Sequence, residues 1–276
     1  MNYLLSVVLL PILAGSALAG AALLGPLRQR AAIIECCVAS GLAIAFLISF
    51  VHEVDPAALL RQLPVELKDD DAPFERWHQL GLVALLLALV SPALALLTAA
   101  VPRHRRALVI ATTLLSACGV AAFVAFPGAS NGGRALFAAT CALSSGAIAM
   151  CGLRTATCAL AVSCVGMAAC AVMTGFPSLA VMCVAVAGTA GSIALVGCLS
   201  RSPRMPSVAG AISVVSGTLA GTAAACGQAY ASGNVPSWTW NALAVGVPIA
   251  GALLYRMTRV APMRYARATA TNQTAD

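Results

Sequence analysis

The chain has 276 residues, of which 61% are hydrophobic and only 9% are charged, and its formal net charge is +7. A soluble domain carries about 25% charged residues because water must wet its surface, so this composition excludes a soluble globular protein. The basic residues lie in short segments between apolar runs, as expected from membrane topology, and we expect no nucleic-acid partner.

Nine apolar runs follow one another along the chain. A helix needs about 20 mainly apolar residues to cross the hydrocarbon layer, and its backbone polar groups must be satisfied internally. The predicted spans are residues 4–24, 32–50, 78–100, 108–126, 135–152, 155–173, 179–199, 207–226 and 242–257. The sequence therefore predicts an all-α, polytopic integral membrane bundle of about nine transmembrane helices, forming one domain over residues 1–257.

The basic residues alternate between the two sides of these spans. Twelve of the 16 lie at the end of odd-numbered spans or follow them, namely Arg28, Arg30, Arg103, Arg105, Arg106, Arg154, Arg201, Arg204, Arg256, Arg259, Arg264 and Arg267. Because short-loop Lys and Arg mark the cytoplasmic face, we expect an outer N-terminus and a cytoplasmic C-terminus in a bacterial-type inner (plasma) membrane. The acidic loop 52–77 is then external. The basic tail, residues 258–276, is predicted to be disordered and to contact anionic lipids.

The first run has a second interpretation. Residues 17–19 read Ala-Leu-Ala, which mimics a signal-peptide cleavage site. No basic residue precedes the apolar stretch, however, and cleavage would leave Arg28 and Arg30 on the outer side, against the alternation. An uncleaved first span is therefore favoured.

Eleven cysteines lie inside the apolar runs, with no CxxC motif and no histidine near them in the sequence. A buried thiol behaves as a small apolar group. We therefore expect these cysteines to serve in packing, and we expect neither a metal nor a cofactor.

Carboxylates are almost confined to the N-terminal third, and none occurs from Arg76 through Ala275. Intramembrane proton and cation paths usually depend on ionisable side chains inside helices, so we expect no catalytic residues. Glu35 is the single carboxylate within a predicted span. It is either a proton-accepting site or, as we favour, an ion-pair partner of Arg30 or of the arginine cluster 103–106.

Two further features have ordinary explanations. The aspartates at 69–71 could bind a divalent cation or a basic partner, but they are typical of a solvated turn before a helix. Trp77, Trp238 and Trp240 are typical of anchors at the membrane interface.

Small residues recur at helical spacing in the C-terminal half. Ser213, Gly217 and Gly221 follow one another at i+4, and Gly188 and Ser192 do the same in the preceding span. Such faces let helices approach closely. They predict either a tightly packed bundle or a docking surface for partner subunits.

Residues 146–201 carry a family resemblance. They contain an arginine turn, Gly152-Leu153-Arg154, and residues 190–195 read Ala-Gly-Ser-Ile-Ala-Leu. This stretch resembles the small K-type membrane subunit of respiratory complex I and its relatives in cation/proton antiporter and hydrogenase complexes. The N-terminal run is similar to the start of the antiporter-like subunits. Where the family has glutamates, this chain has Cys164 and Ala190, so the resemblance implies a subunit that has lost its own proton path.

The sequence thus predicts a non-catalytic membrane subunit of a larger energy-converting complex, of the proton-translocating oxidoreductase or antiporter-like kind, with other membrane subunits as partners. The alternative is a small-molecule carrier of the drug/metabolite exporter type. Carriers place discontinuous helices at the bilayer midplane, for which Pro11, Pro92 and Pro248 are the candidate positions. An assembly factor or a lipid-handling protein is a third class that stays open.

Overall fold

The computed structural model describes residues 5–24, 31–54, 76–124, 130–199, 210–230 and 235–258. Within these ranges the chain forms nine long helices. They are α1 (Leu5–Leu24), α2 (Ala31–Glu53), α3 (Gln79–Ala100), α4 (Arg105–Phe123), α5 (Asn131–Ala149), α6 (Leu153–Met173), α7 (Pro177–Leu199), α8 (Ala211–Tyr230) and α9 (Ser237–Thr258). Each overlaps one predicted span, and the all-α architecture is confirmed.

Several helices extend beyond the apolar runs that predicted them. α4 begins at Arg105 rather than at residue 108, and α9 begins at Ser237 rather than at residue 242. Hydropathy detects the section inside hydrocarbon, whereas polar first turns continue the helix where side chains can reach headgroups and water. The acidic loop and the basic tail lie almost entirely outside the described residues.

Seven of the nine helices, all except α5 and α8, are long and apolar enough to cross a membrane. α5 begins at Asn131 and carries Arg134, and α8 is rich in serine, threonine and glycine. Sixteen of the 20 residues of α8 are buried, so this helix faces protein and not lipid. Membrane helices that pack against other helices use such small residues to approach them closely.

α8 forms the axis of the bundle. It packs against α2, α3, α4, α5, α6, α7 and α9, most extensively against α5. Side chains at Gly217 and Gly221 would collide with the α5 residues Ser145 and Cys141, so only glycine permits this close approach. The small-residue face of α8 is therefore occupied inside the bundle.

The corresponding face of α7 packs against α1. Gly188 lies against Ile12, and the hydroxyl groups of Ser16 and Ser192 are hydrogen bonded. Ser192 donates to the Thr189 carbonyl at 2.8 Å, so Ser16 is the donor in the bond between the two serines. Both small-residue faces thus serve packing within this chain.

The helices run continuously through the three predicted break points. Pro92 lies inside α3, and its missing N–H would leave the Ala88 carbonyl without a helical donor. Ser91 Oγ donates to that carbonyl at 3.2 Å and also contacts Ser40 Oγ of α2 at 2.9 Å. The carbonyl freed by the proline is thereby satisfied without a break in the helix.

Pro248 is accommodated by a π turn. The five residues Ala242–Gly246 of α9 adopt π-helical geometry, in which a carbonyl bonds the N–H five residues later. The carbonyl of Leu243 would need the N–H of residue 248, which proline lacks. Ser163 Oγ of α6 donates to this carbonyl instead, at 2.7 Å. A similar π turn, Leu5–Leu9, precedes Pro11 in α1.

Candidate functional site

The N-terminal parts of three helices meet around Glu35. Glu35 lies in the second turn of α2, Arg105 is the first residue of α4, and Ala211 is the first residue of α8. Arg105 Nη2 donates to Glu35 Oε1 in an ion pair. The backbone N–H of Ala211 donates to the same carboxylate, and Gly210 lies against it. We call this group the Glu35–Arg105 site.

The two charges differ in their access to water. The Glu35 side chain is only 2% exposed, whereas that of Arg105 is 30% exposed. A buried carboxylate is stable only when a cation and hydrogen-bond donors compensate its lost hydration. Arg105 supplies the cation, and the N-terminus of α8 supplies an N–H group together with the positive end of the helix dipole.

The geometry shows which arginine pairs with Glu35. Of the arginine cluster 103–106, Arg105 makes the contact, while Arg103 and Arg106 are exposed. Arg30, the other partner considered from the sequence, lies outside the described residues. The pair ties α2 to α4 and the hydrogen bond ties α2 to α8, so that one carboxylate joins three helices at one end of the bundle.

The packing-face residues continue from this site along α8. Ser213 is fully buried and its hydroxyl donates to the Gly210 carbonyl at 2.8 Å, within the first turn of the helix. Gly217 and Gly221 follow one and two turns further on, against α5. The structure therefore places Ser213 beside the Glu35–Arg105 site and the two glycines away from it.

The opposite end of the bundle holds an aromatic cluster that sequence reasoning missed. The ring of Trp77 stacks edge-on against those of Phe50 and Phe176, at centroid distances of 5.9 and 5.6 Å. The Trp77 backbone N–H donates to Tyr230 Oη at 3.1 Å. Beside this cluster, Ser178 Oγ donates to Glu53 Oε2 at 2.7 Å. The ends of α2 and α8 and the starts of α3 and α7 are joined here.

The prediction of tryptophan anchors is wrong for two of the three residues. Trp238 is 68% exposed, and its role as an anchor stays a prediction. Trp77 and Trp240 are buried, the first in the aromatic cluster and the second against Gly227 of α8. Their rings stabilise contacts between helices, a role that hydropathy cannot distinguish from anchoring.

Two grooves between helices are lined partly by exposed apolar side chains. The basic groove, between α4, α5 and α9, has a volume of about 630 Å³ and includes Arg106 and Arg256 among its lining residues. The apolar groove, between α3, α4 and α8, has a volume of about 300 Å³. Exposed leucines such as Leu86 and Leu115 line it, and Val214 and Val215 of α8 form its floor.

All eleven cysteines are free thiols. Cys151, in the turn between α5 and α6, is fully buried. The described residues contain no group of three or more His, Cys, Asp or Glu side chains that could hold a metal ion.

These features define a multi-pass α-helical membrane protein, with a neutralised carboxylate at one end of the bundle and aromatic packing at the other. Comparison of the chain with protein-family models, with curated proteins and with solved structures finds no match.

Proposed function

We propose that this protein is a non-catalytic, multi-pass subunit of a larger energy-converting membrane complex, of the proton-translocating oxidoreductase or antiporter-like kind. The observation that carries the proposal is the filled axis of the bundle. α8 occupies that axis with 16 buried residues, and the described grooves open sideways between outer helices. Such an architecture suits a protein that holds its place in an assembly better than one that encloses a substrate.

The Glu35–Arg105 site supports the same proposal. A proton-relay carboxylate must exchange its proton, whereas Glu35 is paired with an arginine and bonded to the first N–H of α8. Arginine stays protonated in proteins, so Arg105 keeps a positive charge beside this carboxylate. The carboxylate acts as a joint between helices in this proposal, and proton transport belongs to partner subunits.

The resemblance to the K-type subunit is our reason for proposing this kind of complex. Cys164 of α6 and Ala190 of α7, where that family has glutamates, are both buried between helices. Glutamates at these positions would lie inside the bundle, as a proton path requires. Their replacement by small apolar residues is what we expect of a subunit that contributes packing alone.

The carrier alternative draws less support from the same helices. Midplane binding sites in carriers are built from broken helices with unpaired backbone groups. In this chain α3 and α9 continue through Pro92 and Pro248, and Ser91 and Ser163 satisfy the carbonyls concerned. A ligand would have to displace hydrogen bonds that the protein already makes.

The proposal includes nine membrane crossings with a cytoplasmic C-terminus. The starts of α2, α4 and α8 meet at the Glu35–Arg105 site, and the Arg256 guanidinium near the end of α9 reaches Met150 at the end of α5. The ends of α2 and α8 meet the starts of α3 and α7 in the aromatic cluster. Strict alternation of nine crossings accounts for all these contacts. The end that holds the Glu35–Arg105 site is rich in arginine, which favours its placement on the cytoplasmic side.

Gentle extraction of the tagged full chain, followed by native-gel separation and mass analysis, tests the proposed function. We expect a species larger than the monomer that contains other multi-pass membrane proteins. A lone monomer would contradict the proposal. A rise in its melting temperature with a small molecule would then favour the carrier.

A further inference from the structure

The basic groove has the shape of a binding site within one leaflet. It follows α4 from Arg106 to Leu114 and α5 from Met150 back to Ala142. Eight helical residues rise about 12 Å, which is most of the roughly 15 Å hydrocarbon depth of a leaflet. The groove therefore extends from the headgroup level of the arginine-rich end toward the middle of the membrane.

The walls of the groove are shaped by small residues of α5. Ala142, Gly146 and Ala149 leave a recess, and an added Cβ at Gly146 would meet no atom within 4 Å. Ile110 and Leu114 of α4 form the other wall and are 60% and 52% exposed. An apolar recess that opens toward lipid accommodates a chain of methylene groups without a desolvation cost.

Two arginines lie at the headgroup end of this recess. Arg106 and Arg256 are exposed, and neither has a carboxylate partner among the described residues. Arg256 Nη2 donates to Met150 Sδ at 3.5 Å, and a thioether is a weak acceptor. Guanidinium groups bind phosphate oxygens through paired, charge-assisted hydrogen bonds. The charge of the groove thus complements an anionic headgroup.

We propose that the basic groove binds one anionic phospholipid of the adjacent leaflet. Its phosphate lies between Arg106 and Arg256, and one acyl chain lies along Gly146 and Thr113. This site is distinct from the basic tail, whose lipid contacts need no groove. The proposal depends on the membrane setting of the chain and is independent of the subunit function.

Native mass spectrometry of the purified full chain, titrated with phosphatidylglycerol or phosphatidylcholine in detergent, tests the headgroup part. Wild type should retain phosphatidylglycerol in preference to phosphatidylcholine. The variant R106Q/R256Q should bind phosphatidylglycerol about twenty-five-fold more weakly, at about fivefold per arginine. Phosphatidylcholine should be affected less, because its choline cation offsets the charge of its phosphate. R103Q is the matched control, because Arg103 is exposed at the same end but does not line the groove.

A second variant tests the acyl-chain part. Gly146→Phe fills the recess while both arginines remain, and it should reduce the binding of both lipids. Gly119→Phe is its control, since Gly119 also has open space around its Cα but lines the apolar groove. An equal loss of phosphatidylglycerol binding in R103Q would contradict a specific site, because diffuse basic charge would then account for the binding. Wild type without headgroup preference, or Gly146→Phe binding as wild type does, would overturn the proposal.

Discussion

Removal of Arg105 should destabilise the protein more than removal of Glu35, although the two form one ion pair. Arg105→Met leaves a carboxylate that is 2% exposed without its cation, which costs about 3–5 kcal/mol for a buried pair. The Ala211 N–H and the α8 dipole remain and offset up to about 1 kcal/mol. Glu35→Gln keeps the side-chain volume and an acceptor oxygen, and the 30% exposed Arg105 guanidinium can turn to the headgroups. We therefore expect Glu35→Gln to lower the free energy of unfolding by about 1 kcal/mol.

The double variant E35Q/R105M should lose about as little as E35Q alone, since loss of both charges leaves neither uncompensated. The free energies come from reversible unfolding of the purified protein in mixed micelles, arranged as a double-mutant cycle. Arg103→Met is the control and should change stability by less than about 0.5 kcal/mol. If R105M proves no more destabilising than R103M, or less so than E35Q, the account of this site is wrong.

Three further predictions concern packing, hydrogen bonding and topology. Gly217→Val should destabilise the bundle by about 1–3 kcal/mol or more because its side chain meets the α5 backbone, whereas Gly119→Ala, in open space, should be neutral or stabilising in the same unfolding assay. Ser163→Ala should cost about 0.5–2 kcal/mol, because an α9 carbonyl then lacks a donor, and no loss would contradict that bond. In a cysteine-free background, an impermeant maleimide should label a cysteine substituted for Asn131 in intact cells. A cysteine substituted for Arg201 should be labelled only after permeabilisation, and its labelling in intact cells would contradict the predicted orientation.

The apolar runs predicted the helices well because a membrane helix must be apolar over a length that the bilayer sets. The same argument cannot show which helix is central. The small residues of α8 predicted either packing within the bundle or docking of a partner, without a choice between them. Only the positions of Ser145 and Cys141 opposite its glycines show that the face is used within the chain.

The candidate site was predicted in part. The position of Glu35 near a helix start indicated a cationic partner, and the cluster 103–106 was one of two options. The sequence could not select Arg105, since the choice depends on how α4 is rotated against α2. Nor could it predict the Ala211 N–H, because that donor belongs to the backbone of a helix 176 residues away (211 minus 35). The burial of Trp77 escaped prediction for a similar reason, because its partners come from three other helices.

The modest apolarity of α5 and α8 has a consequence for biogenesis. Insertion of a helix from the translocon depends on its own partition free energy, and serines, threonines and an arginine reduce that driving force. α5 and α8 flank the strongly apolar α6 and α7 in the chain, and they pack closely against each other in the fold. We therefore expect α8 to become stable in the membrane only after α5 is there to receive its glycines.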